Sequence, residues 1–139
     1  MSEYLEQLHV FEPCSGWFAD QAIANAATLT SAEFNTHRGQ GPAVASGNVA
    51  TAHGIVPIAA RLVIGIFLDA AALHTIVIRG GLATGALSAV ETISPGAVAV
   101  DTIVRDIFWP FLDVQFNNTS VSSRTFRISM RLFPFPRGI

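Results

Sequence analysis

From Arg124 to Phe133 the chain reads RTFRISMRLF, and its side chains alternate without a break. Phe126, Ile128, Met130 and Leu132 point one way, while Arg127, Ser129 and Arg131 point the other. A period of two is that of a β-strand with one buried and one solvated face. Phe111 to Asn117 repeats it, with Leu112, Val114 and Phe116 inward and Asp113, Gln115 and Asn117 outward.

The stretch LVIGIFLDAAALHTIVI, Leu62 to Ile78, is different, because almost every position is apolar or small. It is shorter than the roughly 20 residues a bilayer demands. It also carries Asp69 and His74 and is closed by Arg61 and Arg79. A carboxylate at a membrane centre costs ~2.5–3.5 kcal/mol, so the pattern argues against a span. The β-branched residues and Gly65 suit a strand better than a helix. Leu62, Ile64, Ile66 and Leu68 share one face; Arg61, Val63, Gly65 and Phe67 share the other. Both faces are apolar, so both are expected to be covered. Asp69-Ala-Ala-Ala interrupts the bulky run, and the pattern predicts strand, turn, strand: a hairpin.

Further strands follow, with turn signals between them. Gly80-Gly81 marks a turn, Gly85 to Ile93 a strand, and Ser94-Pro95-Gly96 a second turn. Ala97 to Phe108 is strand-like, with Val98, Val100, Thr102 and Val104 on one face, and Pro110 interrupts it. NNTSVSS is a polar loop, and FPFPRG a stiff, extended tail that cannot join a ladder at its prolines. Trp17 to Leu29 reads as a short helix capped by Ser15, whereas Ala27 to Thr36 reads as strand. HRGQGPAVASGN is a Gly-rich connection. Short strands at such spacing predict an all-β fold, an antiparallel, jelly-roll-like β-sandwich, with an N-terminal arm or short helix left open. The divisions that follow are residues 1–40 as an arm or first strands, 41–133 as the sandwich, and 134–139 as the tail.

Composition adds a constraint on the surface. Charged residues make up 13% of the chain, against about 25% in an ordinary soluble domain. Apolar residues make up 50%, and the mean hydropathy is +0.46. So few charges leave a lone monomer poorly covered, and predict an exterior buried against other protein. Met1 to Thr36 holds Glu3, Glu6, Glu12, Asp20 and Glu33 without a base; Val114 to Ile139 holds Arg124, Arg127, Arg131 and Arg137 without an acid. An acidic head and a basic tail can meet within a subunit or between neighbours. Cys14 is the only cysteine, which excludes an intrachain disulfide and suits a reducing setting. The acidic start MSEYLEQLHVF does not read as a secretory signal.

Catalytic chemistry finds no support. His9, His37, His53 and His74 lack metal-ligand spacing, GxSxG is absent, and neither Gly39-Gln-Gly41 nor Gly80-Gly81 belongs to a phosphate-binding fingerprint. No catalytic residue, metal site or cofactor is assigned, and His74 reads as a hydrogen-bonded residue of a partly buried face. The sequons in Asn117-Asn118-Thr119-Ser120 read as an Asn-rich turn. Arginines interleaved with aromatics also occur in nucleic-acid binders, but a net charge of −2 and the strand periodicity favour an Arg stripe that faces protein. The candidate interface residues are Arg124, Arg127, Arg131, Phe133, Phe135 and Trp109.

ARLVIGIFLDAAALHTIVI, a Gly-rich turn, the Ser-Pro-Gly turn, DIFWPFLDVQFNNTS and a final RISMRLF together resemble the small β-sandwich decoration, or cement, proteins of tailed-phage heads. The resemblance spans Ala59 to Phe133 and lies in the rhythm of strands. It implies a non-catalytic virion protein on the capsid surface, assembled in the host cytoplasm. Its implied partners are itself, as a homotrimer, and the major capsid protein, with neither membrane nor nucleic acid. A tail, baseplate or fibre module that binds a host glycan is the alternative.

Overall fold

A computed structural model describes residues 15–35 and 60–134. Among these residues nine strands run in chain order: β1 (Ser15–Ile23), β2 (Thr28–Thr30), β3 (Phe34–Asn35), β4 (Ala60–Ala72), β5 (His74–Gly81), β6 (Ser88–Ile93), β7 (Val98–Ile107), β8 (Phe111–Asn118) and β9 (Arg124–Pro134). The expected all-β sandwich is present, and no helix occurs among the described residues. The calls on His9, Cys14, His37, His53, the Gly-rich connection, Phe135 and Arg137 lie outside them.

The first sheet has the order β1-β9-β4-β7, and the second the order β2-β8-β5-β6, with β3 also pairing β8. All pairs are antiparallel. Apart from the β5–β6 hairpin, every junction between consecutive strands from β4 onward passes from one sheet to the other. This order is that of a jelly roll.

Two expectations are corrected. Leu62 to Ile78 is not a hairpin, because β4 and β5 lie in different sheets. The Asp69-Ala-Ala-Ala segment remains strand, shifts register between Phe67 and Ala72, and hands the chain across the sandwich at Leu73. A register shift of this kind bends a strand out of its sheet. Trp17 to Ile23 is likewise strand and not helix, since it pairs with β9 over its full length, from Ser15 opposite Leu132 to Ile23 opposite Arg124.

The alternation read from the sequence sets the core. Leu62, Ile64, Ile66, Phe126, Ile128, Met130 and Leu132 line the inner face of the first sheet, against Ile76, Ile78, Leu112, Val114 and Phe116 of the second. Each such side chain contributes ~1.5–3 kcal/mol by leaving water. One open side of the sandwich is closed by Trp17, stacked on Phe116 with ring centroids 6.1 Å apart. The other is closed by charge, where Arg105 Nε donates to both carboxylate oxygens of Glu91, at 3.0 and 2.9 Å. His74 is buried more deeply than its neighbours suggested. Its Nδ1 donates to the Ala72 carbonyl at 2.9 Å, its Nε2 has no partner among the described residues, and its ring meets Phe126 edge-on.

Candidate protein interface

The two outer faces differ in chemistry. On the second sheet, Asp113 lies opposite Arg79 and accepts from Arg79 Nε at 2.7 Å and Nη2 at 2.5 Å. Beside them Thr28 donates to Asn117 Oδ1 at 2.5 Å, and Asn117 Nδ2 donates to Thr75 Oγ1 at 3.0 Å. These polar groups satisfy one another across three strands and leave a face that water wets well.

The first sheet carries an apolar face instead. Its register aligns side chains in rows from β1 across β9 and β4 to β7. Gly16, Arg131, Val63 and Val104 form one row, and Phe18, Ser129, Gly65 and Thr102 the next. Asp20, Arg127, Phe67 and Val100 form the third. Phe18 is 64% exposed, Phe67 57%, Val100 57% and Val104 46%. Singly exposed apolar side chains are ordinary, but Phe67 beside Val100 and Val63 beside Val104 make adjacent apolar pairs on one face, the kind of cluster that marks a contact surface. The apolar second face of Leu62 to Phe67 is therefore open in this chain, where the composition called for a cover.

The sequence-derived candidates fall in three places. Arg127 and Arg131 project from the outer face of β9, with Phe133 beyond them opposite Arg61. Arg127 Nε donates to Asp20 Oδ2 at 3.1 Å, so one acid of the N-terminal segment meets the Arg stripe within the chain. Arg131 has no side-chain partner among the described residues. It borders, with Gly16, Phe18 and Ser129, a shallow open depression between β1 and β9. Arg124 does not join this stripe. It lies on the core side of β9 opposite Ile23, its Nε buried without a partner among the described residues and its Nη1 4.0 Å from Asp69. Trp109 belongs to the far end of the sandwich, folded over Gly80, beside an exposed Phe108.

Phe18, Phe67, Val100 and Val104 were not among the sequence-derived candidates. Their signal was present, since Val63, Gly65 and Phe67 shared a face, as did Val100, Thr102 and Val104. Only the β4–β7 pairing shows that the two sets are neighbours. Among the described residues no group of three or more His, Cys, Asp or Glu side chains converges as a metal site, and no helix is long and apolar enough to cross a membrane.

No protein-family model and no curated protein matches the chain. Among solved structures, the PBSX exported protein XepA superposes with a TM-score of 0.62 at 7% identity, over 90% of this chain and 39% of XepA. PirA gives a TM-score of 0.47 at 12% identity, over 87% of this chain and 94% of its own. A protein of Bacillus endospore appendages, described as disulfide-linked pili, gives 0.45 at 14% identity, over 88% of this chain and 87% of its own. The XepA superposition takes in nearly all of this chain and is a likeness of fold, in which the chain corresponds to well under half of that protein.

Proposed function

We propose that the chain is a non-catalytic structural subunit of a tailed-phage particle, a decoration protein that assembles as a homotrimer and bridges major capsid subunits on the capsid surface. The observation that carries this reading is the outer face of the first sheet, where Phe18, Phe67, Val100 and Val104 are exposed together. Obligate interfaces resemble a domain core cut in half, and such a face has that character. The sandwich shared with XepA is compatible with it.

The arginines favour a protein partner over a polyanion. Arg61 bonds Asp106 at 3.0 Å and Arg127 bonds Asp20 at 3.1 Å, so two arginines of this outer face are neutralised in place. A glycan-binding module gains little support, because Trp17 stacks inward on Phe116 and Trp109 lies over Gly80. Sedimentation of the purified chain with phage shells assembled without it tests the proposal. Saturable co-sedimentation and a mass of three subunits, or of a multiple of three, are expected. A monomer that ignores shells and binds a glycan array would sink it.

A further inference from the structure

A knob and a hollow lie side by side on the outer face of the first sheet. The knob is Phe67, projecting from β4 and largely exposed. Two residues back along the strand, Gly65 lies beside Ser129 of β9, a pair with almost no side-chain volume. Phe18 on β1 and Thr102 on β7 wall this pair on either side. A Cβ built on Gly65 would approach only the Ser129 carbonyl oxygen, at 4.0 Å, so the space above it is open. Same-face neighbours on a strand are about 7 Å apart, a separation on the scale of an aromatic ring.

A surface that holds a knob next to its own matching hollow is complementary to itself under a two-fold axis. We infer that a second copy of this chain covers this face, the two first sheets packing face to face with Phe67 of each copy seated over the Gly65–Ser129 pair of the other. The inference rests on the reading above that this face is buried in the assembly, and it names the occupant.

The axis runs across the strands, midway between Gly65 and Phe67. In that register Val100 meets Thr102 of the second copy, Phe18 meets Asp20, Arg127 meets Ser129 and Arg131 meets Thr125, so no like charges are opposed. Four strands about 4.8 Å apart and some eight residues long present roughly 500 Å² per copy. The pair then buries about 1,000 Å² in total, the lower bound for a specific interface. Face-to-face sheets accommodate this with their strands within about 30° of alignment.

Sedimentation velocity over a range of concentrations, run on the wild type, Phe67→Gln and Gly65→Gln, tests the inference, with co-sedimentation on shells in parallel. Both substitutions lie on the outer face, and circular dichroism with urea unfolding verifies that each variant folds; either variant alone suffices. The wild type is expected to carry six subunits, as paired trimers; two would keep this inference and overturn the homotrimer. Either substitution is expected to halve that mass or weaken association at least tenfold. An odd-numbered wild type, or a mass that neither substitution changes, overturns the inference. Unchanged mass with lost shell binding gives the face to the capsid, which overturns this inference and leaves the proposed function standing. Halved mass in a chain that never binds shells does the reverse.

Discussion

Trp109 lies so close over Gly80 that a Cβ at position 80 would sit 2.6 Å from Trp109 Cγ and 2.7 Å from Cδ1. Gly80 is the penultimate residue of β5, and the indole comes from the link between β7 and β8, so this contact fastens one end of the sandwich.

Replacing Gly80 by Ala is therefore expected to push the indole out and cost about 1–3 kcal/mol in urea unfolding. Gly65→Ala is the contrast, since its Cβ would meet nothing nearer than 4.0 Å, and its effect should stay within about 0.5 kcal/mol. The double variant Gly80→Ala/Trp109→Ala should lose less than the two single changes added together, because the clash disappears with the ring.

Asp113→Ala should cost more than any other ion-pair deletion. The Asp113 side chain is 7% exposed and holds Arg79 with two hydrogen bonds, which raise the guanidinium pKa further above its ordinary value against the opposing effect of burial. Deleting the carboxylate leaves a half-buried cation without its partner, at a cost of about 2–4 kcal/mol. Replacing both members by apolar residues, as Arg79→Met/Asp113→Leu, should recover most of that loss. Urea unfolding of the three variants measures both effects.

Much of this fold was legible because its strands alternate so strictly. The inward sets of β4, β8 and β9 follow directly from the period of two. Strand partners are a different matter, since alternation says which way Leu62 or Ile76 points and nothing about which sheet receives it. Leu73 alone separates β4 from β5, so a change of sheet looks like a hairpin turn. In β1 the inward positions are Trp17, Ala19, Gln21 and Ile23, an alternation weakened in the middle by Ala19 and Gln21, neither of which favours a strand. Nine residues of pairing with β9 override that propensity. Arg124 shares its parity with Phe126, which places it on the core side, apart from Arg127 and Arg131. The exposed apolar face was half legible, because each strand's second face was visible while its neighbours were not.

The pairs Arg61–Asp106, Glu91–Arg105 and Asp20–Arg127 should matter little one at a time. Their side chains are between 39% and 64% exposed, so solvent screens them. Alanine at Asp106, Glu91 or Asp20 is expected to cost less than about 1 kcal/mol each. Urea unfolding at 0.05 M and 1 M sodium chloride should show these small effects shrinking further in salt. A loss above about 2 kcal/mol at Glu91 would instead identify its closure of the open side as a structural necessity.

Asn118 should be the least replaceable polar residue of the chain. It is fully buried, and all four of its hydrogen-bonding positions are filled. Nδ2 donates to the Ile23 carbonyl at 2.7 Å and the Ser122 carbonyl at 2.9 Å, while Oδ1 accepts from Ser120 N at 3.0 Å and Ser120 Oγ at 2.6 Å. One amide thus joins the end of β1 to the loop between β8 and β9. Asn118→Asp replaces two donors by an acceptor that faces two carbonyls, and Asn118→Leu takes this partner from the Ile23 carbonyl and the Ser120 amide. Each unsatisfied buried group costs about 1–3 kcal/mol, so both variants should lose at least about 2 kcal/mol in urea unfolding. Hydrogen exchange at Ser120 and around Ile23 should accelerate in step. If Asn118→Asp unfolds like the wild type, the amide is not what closes this end of the sandwich.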